Sequence, residues 1–283
     1  MKKYSLLALM LVVGSFSCAV FGQAIPTFKR TTYKTDKLEF GAGGTVAVIG
    51  APVGSVKVEG WQNNEIEISA TIEVEAQNEA DLAKLAGVTS FILEESLGRT
   101  GIISTGTHDK KFMKSIGKKL PKTALGMPFR IDYVIKVPRY CDLQIDGGKG
   151  EVSVSGVEGS IKINYIESDA DLALVGGSLI ATIGKGSVKV SVPTRSWRGR
   201  STEVQLATGT MDIQLPAGLN AEVDASILRT GKIENNFGDL KPRVRKGEFT
   251  DKSIIAKSGA GGIAMKFTVG DGTLKLSRFG DKD

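Results

Sequence analysis

The chain has little of what most chemical sites are built from. It carries two cysteines, Cys18 and Cys141, and one histidine, His108, in 283 residues. Cys18 lies in a leader-like segment, so the rest of the chain cannot close a disulfide within itself. Without a Cys/His cluster, a zinc site of the usual kind has no ligand set. A Ser-His-Asp triad would have to rest on His108 alone, in a lysine-rich segment. There is no phosphate-cradling loop motif and no dinucleotide fingerprint after a strand. With 35 glycines, isolated GxG matches carry no information. No cofactor is therefore expected. Aromatic residues make up only 6%, so a core must be built from Val, Ile, Leu and Ala. The charge is +6, and removing a leader that holds Lys2 and Lys3 leaves +4. That is too little to argue for nucleic acid. It is compatible with an acidic polymer or an anionic surface.

What is abundant is repetition. Gly150–Val192 reads GEVSVSGVEGSIKINYIESDADLALVGGSLIATIGKGSVKVSV. A small or polar residue opens a unit at Gly150, Gly159, Ser168, Gly177 and Gly186, each nine residues after the last. After each opener comes an alternating strand: Val152 and Val154, Ile161 and Ile163, Leu172 and Leu174, Leu179 and Ala181, Val188 and Val190. Alternation sends one face inward and one to water. Glycine at a corner supplies backbone angles closed to other residues. Asn-Gly and Asp-Gly hairpin signals are scarce here. The pattern favours an all-β fold: a β-solenoid, a single-stranded right-handed β-helix-like stack of short strands. Three such units would make one turn. An antiparallel meander or sandwich shares the alternation and is the rival.

Taken in order, Met1–Ala24 has the form of a bacterial signal peptide. Lys2 and Lys3 precede an apolar run, Leu6–Val13, and Gly22-Gln23-Ala24 offers small residues for cleavage before Ile25. The run is too short to span a bilayer as a stable helix. Cys18 opens a second outcome, lipidation and membrane anchoring. Residues 25–283 are expected to form a single domain. Its part 38–137 is strand-rich, with a basic insertion at 107–128, and 138–278 is the repeat part. Glu65, Glu67, Glu73 and Glu75 share one face of a strand; a solvated face is expected there rather than a cation site. Glu79–Ala86 is the one short helix. That helix and the tail near Phe279 are candidate end caps.

The basic insertion carries Lys110, Lys111, Lys114, Lys118, Lys119 and Lys122, interleaved with Phe112, Met113, Ile116 and Leu120. It is a candidate contact for an anionic partner, with a solvated loop as the plainer alternative. Arg195, Arg198 and Arg200 surround Trp197, a pairing that can stack on sugars or nucleobases, though a solvated turn around a part-buried Trp is the simpler expectation. Cys141 is expected to be a buried, inert thiol. Asp169 and Asp171, with Asp146, Asp212 and Asp224 on other turns, are the carboxylates that a polysaccharide-cleaving β-helix would need. Corner aspartates that bond their own backbone are expected instead.

Several segments resemble the bacterial putative-adhesin domain family, secreted β-solenoids of unsettled function. They are GSVKVEGWQNNEIEISA (Gly54–Ala70), YVIKVPRYCDLQI (Tyr133–Ile145), the Gly150–Val192 run, TGTMDIQLPAGLNAEVDA (Thr208–Ala225) and GAGGIAMKFTVGDGTLKLSR (Gly259–Arg278). Their order carries the resemblance, which covers about Leu38 to Arg278. The 107–128 insertion departs from it. The resemblance implies a class of protein and no site. The resulting expectation is a non-catalytic protein, exported to the periplasm, outer surface or extracellular space. It would contact a surface glycan, an anionic envelope component or a protein. A carbohydrate-active β-helix enzyme and a periplasmic scaffold are the alternatives.

Overall fold

The computed structural model describes residues 28–280 except 42, 116–119, 121–124, 195–196 and 245–246. The expected leader with Cys18, together with Lys118, Lys119, Lys122 and Arg195, lies outside the described residues.

The described chain is all-β, with 17 strands and two short helices. Four long strands form its middle: β10 (Ser160–Ala173), β11 (Gly176–Ser191), β12 (Arg198–Leu215) and β17 (Ile263–Arg278). Each turns a corner part-way and so becomes two legs. The side-chain pattern records the bend. In β11 the buried apolar side chains are Leu179, Ala181 and Ile183 before the corner, then Val188 and Val190 after it. Nine is an odd step, so on a straight strand these two sets would face opposite sides. The corner at Gly186 turns both sets onto one core.

The legs pair in parallel and in register. Ile161 sits beside Leu143 of β8 (Asp142–Lys149) and beside Leu179 of β11. Ala170 sits beside Val152 of β9 (Val152–Ser155) and beside Val188. Each step covers eighteen positions of the chain. The pairing step therefore covers two nine-residue units, not the three expected. The reason is visible at the corners, which fall into two columns. A Cβ on Gly150 would lie 2.0 Å from the Gly54 carbonyl oxygen, and one on Gly186 would lie 2.0 Å from that of Ser168. Cβ atoms on Gly159 and Gly177 would each lie 1.9 Å from the carbonyls of Cys141 and Gly159. Alternate openers thus belong to opposite corners.

Rungs do not follow chain order at either end. The rung of β2 (Thr45–Ile49) and β3 (Val56–Trp61) lies between β8/β9 and the pair β6 (Arg99–Thr105) and β7 (Phe129–Pro138). Likewise β17 lies between β12 and the pair β13 (Ala221–Ile227) and β14 (Gly231–Asn235). The residues near Phe279 therefore follow an interior strand, not a terminal one as a cap would require.

Antiparallel strands finish both ends. At one, β4 (Glu65–Ala76) pairs with β7 and with β1 (Phe28–Glu39), while β5 (Ser90–Ser96) pairs with β6. At the other, β16 (Ser253–Ser258) joins β13 to β15 (Leu240–Pro242). The expected helix, α1 (Glu79–Ala86), packs on β4 and β1 through buried Leu85. Asn78 caps it by accepting from the Asp81 N–H at 2.8 Å. A second helix, α2 (Lys110–Ser115), lies in the basic insertion, where no regular element was expected.

The buried side chains form one cluster from Phe40 to Leu276, mostly aliphatic. Tyr133 is the largest fully buried side chain. Its ring meets Phe91 edge-on at 5.9 Å, and its hydroxyl pairs with Ser104 at 2.7 Å.

Candidate interaction surface

The lysine insertion is described in part. Lys110, Lys111 and Lys114 are exposed on α2, while Phe112 and Met113 are half-buried. Asp109 holds the start of this helix by accepting from the Phe112 N–H at 3.0 Å. His108 lies against Phe129, ring centres 5.3 Å apart, and burial lowers its pKa. It is an exposed imidazole resting on one ring beside the basic helix. At the foot of the insertion, Pro52, Val53, Met127, Pro128 and Phe129 line an apolar cleft of about 340 Å³ edged by Glu73, Glu75 and Arg130.

The carboxylates considered for catalysis are engaged in the lattice of rungs. Asp169 Oδ1 accepts from the backbone N–H and the hydroxyl of Ser187, at 3.1 and 2.6 Å. It bonds the next rung, not its own corner as expected. Asp142 does the same for the Ser160 N–H at 2.7 Å, and Asp132 for the N–H and hydroxyl of Ser55, both at 2.7 Å. Asp146 accepts from Gln144 and Asn164, Asp212 from Gln214, and Asp224 takes both oxygens to Arg243. Asp171 sits in register between Ser153 and Lys189. These groups are spread over both faces. Three glutamates of the β4 row are likewise paired: Glu73 with Lys29, Glu65 with Lys37 and Glu67 with Lys136, each at 2.9 Å. Among the described residues, no three His, Cys, Asp or Glu side chains are placed to share a metal ion. Cys141 is buried, and burial pushes its thiol up to about 12.

The Arg/Trp segment is divided by the fold. Trp197 is buried, not part-exposed as expected. Its ring covers Gly199, where a Cβ would come within 2.1 Å of it. Arg198 and Arg200 are exposed at the start of β12 and line a groove of about 410 Å³ at the second corner. Tyr140, Asp142 and Glu158 line the same groove, over the backbone of Gly159 and Gly177. Tyr140 is 55% exposed, with the Arg139 guanidinium 5.8 Å from its ring centre. Arg139 in turn grips Glu158, one bond being 2.9 Å from Nε. Sequence reasoning missed Tyr140 and Glu158. The signal was the turn length: Tyr140, Glu158 and Gly176 follow one another at that spacing, and Arg198 pairs with Gly176.

No family model and no curated protein matches the chain. Solved structures do align with it. A putative cell adhesion protein from Clostridium sporogenes matches over 88% of this chain and 100% of its own, at 12% identity and TM-score 0.48. A putative adhesin from Bacteroides fragilis matches over 87% and 97%, at 13% identity and TM-score 0.35. A putative lipid binding protein from Parabacteroides distasonis matches over 86% and 96%, at 13% identity and TM-score 0.26. The first two of these neighbours carry cell-adhesion or adhesin names.

Proposed function

We propose that the chain is a non-catalytic interaction protein of the bacterial envelope, adhesin-like in class, exported by Met1–Ala24 and built as a single β-solenoid domain with two legs per turn. The solenoid reading rests on the in-register parallel pairing at a constant step along the chain. The functional reading rests on one observation: the outward side chains of successive rungs satisfy one another. Along one column stand Lys57, Ser153, Asp171, Lys189, Asp212, Lys275 and Glu234, with charges alternating from Asp171 onward. Neighbours in such a column are about 4.8 Å apart. Within this column like charges do not meet. Such a surface is suited to holding a partner, not to transforming one. Among the described residues, exposed cations outside this column include Lys110, Lys111 and Lys114 on α2 and Arg198 and Arg200 at the corner. Both sets favour an anionic partner.

The test is to titrate the processed chain, residues 25–283, with acidic and neutral glycans, anionic vesicles and cell-wall material, while monitoring glycan chain length. Saturable, salt-sensitive binding with chain length unchanged is expected. Release of shorter products would overturn the non-catalytic reading.

A further inference from the structure

We infer that the corner groove bounded by Tyr140, Glu158, Arg198 and Arg200 is a binding site for an acidic saccharide bearing carboxylates. This rests on the reading of the chain as an envelope interaction protein, and it names the site and the ligand class.

The first observation is a break in the rung spacing. Partners in neighbouring rungs are eighteen positions apart through β10 and β11. Between β11 and β12 the step becomes 22 at Gly176–Arg198 and 23 at Ser178–Ser201. Four extra residues lie before Arg198, and the fifth is Arg200 itself. Gly177 pairs with Gly199 and Ser178 with Ser201, so Arg200 has no partner in β11 and forms a bulge. A bulge re-aims a side chain and lets the strand resume its pairing beyond it. Here the inward pattern resumes at Thr202 and Val204, both buried, while Arg198 and Arg200 stay outside. Buried Trp197 fixes the start of the strand. In stacked-rung proteins, insertions of this kind are commonly where the partner binds.

The second observation is the chemistry brought together. Tyr140, Glu158, Gly176 and Arg198 stand on successive rungs, which spans about 14 Å at the usual strand spacing. That length suits an extended oligomer. Among the described residues, neither Arg198 nor Arg200 has a carboxylate partner. The two guanidiniums can take a carboxylate in a forked hydrogen bond. Asp142 and Glu158 each commit acceptor capacity to a fixed donor, the Ser160 N–H and Arg139, and have lone pairs left for sugar hydroxyls. The exposed face of Tyr140 gives a sugar ring an apolar surface. Bare phosphate or a polyphosphate would meet the two carboxylates with no hydroxyl to offer them. A neutral sugar would leave both arginines unused.

The test uses trigalacturonate as the probe, with maltotriose, poly-glutamate and inorganic phosphate as comparisons, titrated into the processed chain by calorimetry. Trigalacturonate is expected to bind, and maltotriose and phosphate to bind far more weakly. Each of Arg198→Gln and Arg200→Gln should weaken trigalacturonate binding about tenfold, the size expected for a charge-assisted hydrogen bond. Tyr140→Ala should weaken it as well. Changing Lys110, Lys111 and Lys114 together to alanine should not. Thermal melting of each variant checks that the fold is kept. The site is overturned by trigalacturonate binding that ignores the arginine variants, or by poly-glutamate binding equally well. Binding of cell-wall material with none of trigalacturonate would also overturn it while leaving the interaction reading intact. Silence toward every envelope component would end both.

Discussion

Asp169 holds Ser187, eighteen residues further along the chain, by both its backbone N–H (3.1 Å) and its hydroxyl (2.6 Å). The same device joins Asp132 to Ser55 across 77 residues. A carboxylate at the edge of one rung thus ties the first residue after a corner in the next. The register of the stack is set partly by polar side chains and not by core shape alone.

Asp132→Ala should therefore destabilise the chain by about 1–2 kcal/mol, because the Ser55 donors and Arg130 lose their acceptor. Burial alone would raise the Asp132 pKa, but bonds from Arg130 and Ser55 outweigh it and hold the carboxyl below its usual range. A depressed folded-state pKa means stability that is present above the unfolded value, about 3.9, and lost as pH falls through the folded one. Denaturant melts at pH 7 and near pH 3 should show a smaller gap between Asp132→Asn and the parent chain at the lower pH. An equal gap at both would contradict the assignment.

Gly209 occupies the first corner with φ 141°, and an added Cβ would lie 1.8 Å from the Gly186 carbonyl oxygen. Gly209→Ala should cost at least about 2–4 kcal/mol, since strain and a backbone clash add. Gly238 has open space around it and no special backbone angle. Gly238→Ala should be neutral or stabilise by up to about 1 kcal/mol. Chemical denaturation of the pair separates corner glycines from incidental ones.

Tyr133→Phe removes the partner of Ser104, whose side chain is fully buried. The expected loss is about 1–3 kcal/mol, the range for an abandoned buried hydroxyl. Changing Ser104 to Ala in the same chain should recover part of it. A double-mutant cycle with no coupling would show that the bond contributes nothing.

Cys141 should resist alkylation in the folded chain at pH 8 and react at an ordinary rate once denatured. Its thiol is pushed up to about 12, chiefly by burial and then by the nearby Asp142 carboxylate. Mass spectrometry of iodoacetamide-treated protein measures this directly. Rapid labelling of the native chain would place the thiol at the surface.

Much of the fold was legible because corners admit few residues. The openers from Gly150 to Gly186 disclosed the nine-residue unit, since a Cβ at most of these positions meets the backbone of the rung beside it. The number of units between paired strands was not legible: two or three units of equal length give the same spacing, and only the pairing of Ile161 with Leu179 decides. Nor could the place of β17 be read, because one parallel edge accepts another whatever its position in the chain. Helix α1 was readable from its own helix-forming residues, Glu79–Ala86, while its Asn78 cap was not read. At the corner groove, Arg198 and Arg200 stood out in the sequence but were grouped with Trp197, whose burial depends on packing over Gly199. The interval from Gly186 to Gly209 held the better signal, being five positions longer than one turn. Tyr140 and Glu158 join the arginines only once the length of a turn is known.

The export and envelope reading meets its most direct test in fractionation of a bacterium producing the whole chain, with the N-terminus of the recovered protein read by mass spectrometry. The expected protein begins at Ile25, or at a lipidated Cys18. It is found outside the cytoplasm with the envelope. If unlipidated, it leaves the envelope as salt is raised or acidic glycan is added. Recovery of the full chain from Met1 in the cytoplasm would contradict the account.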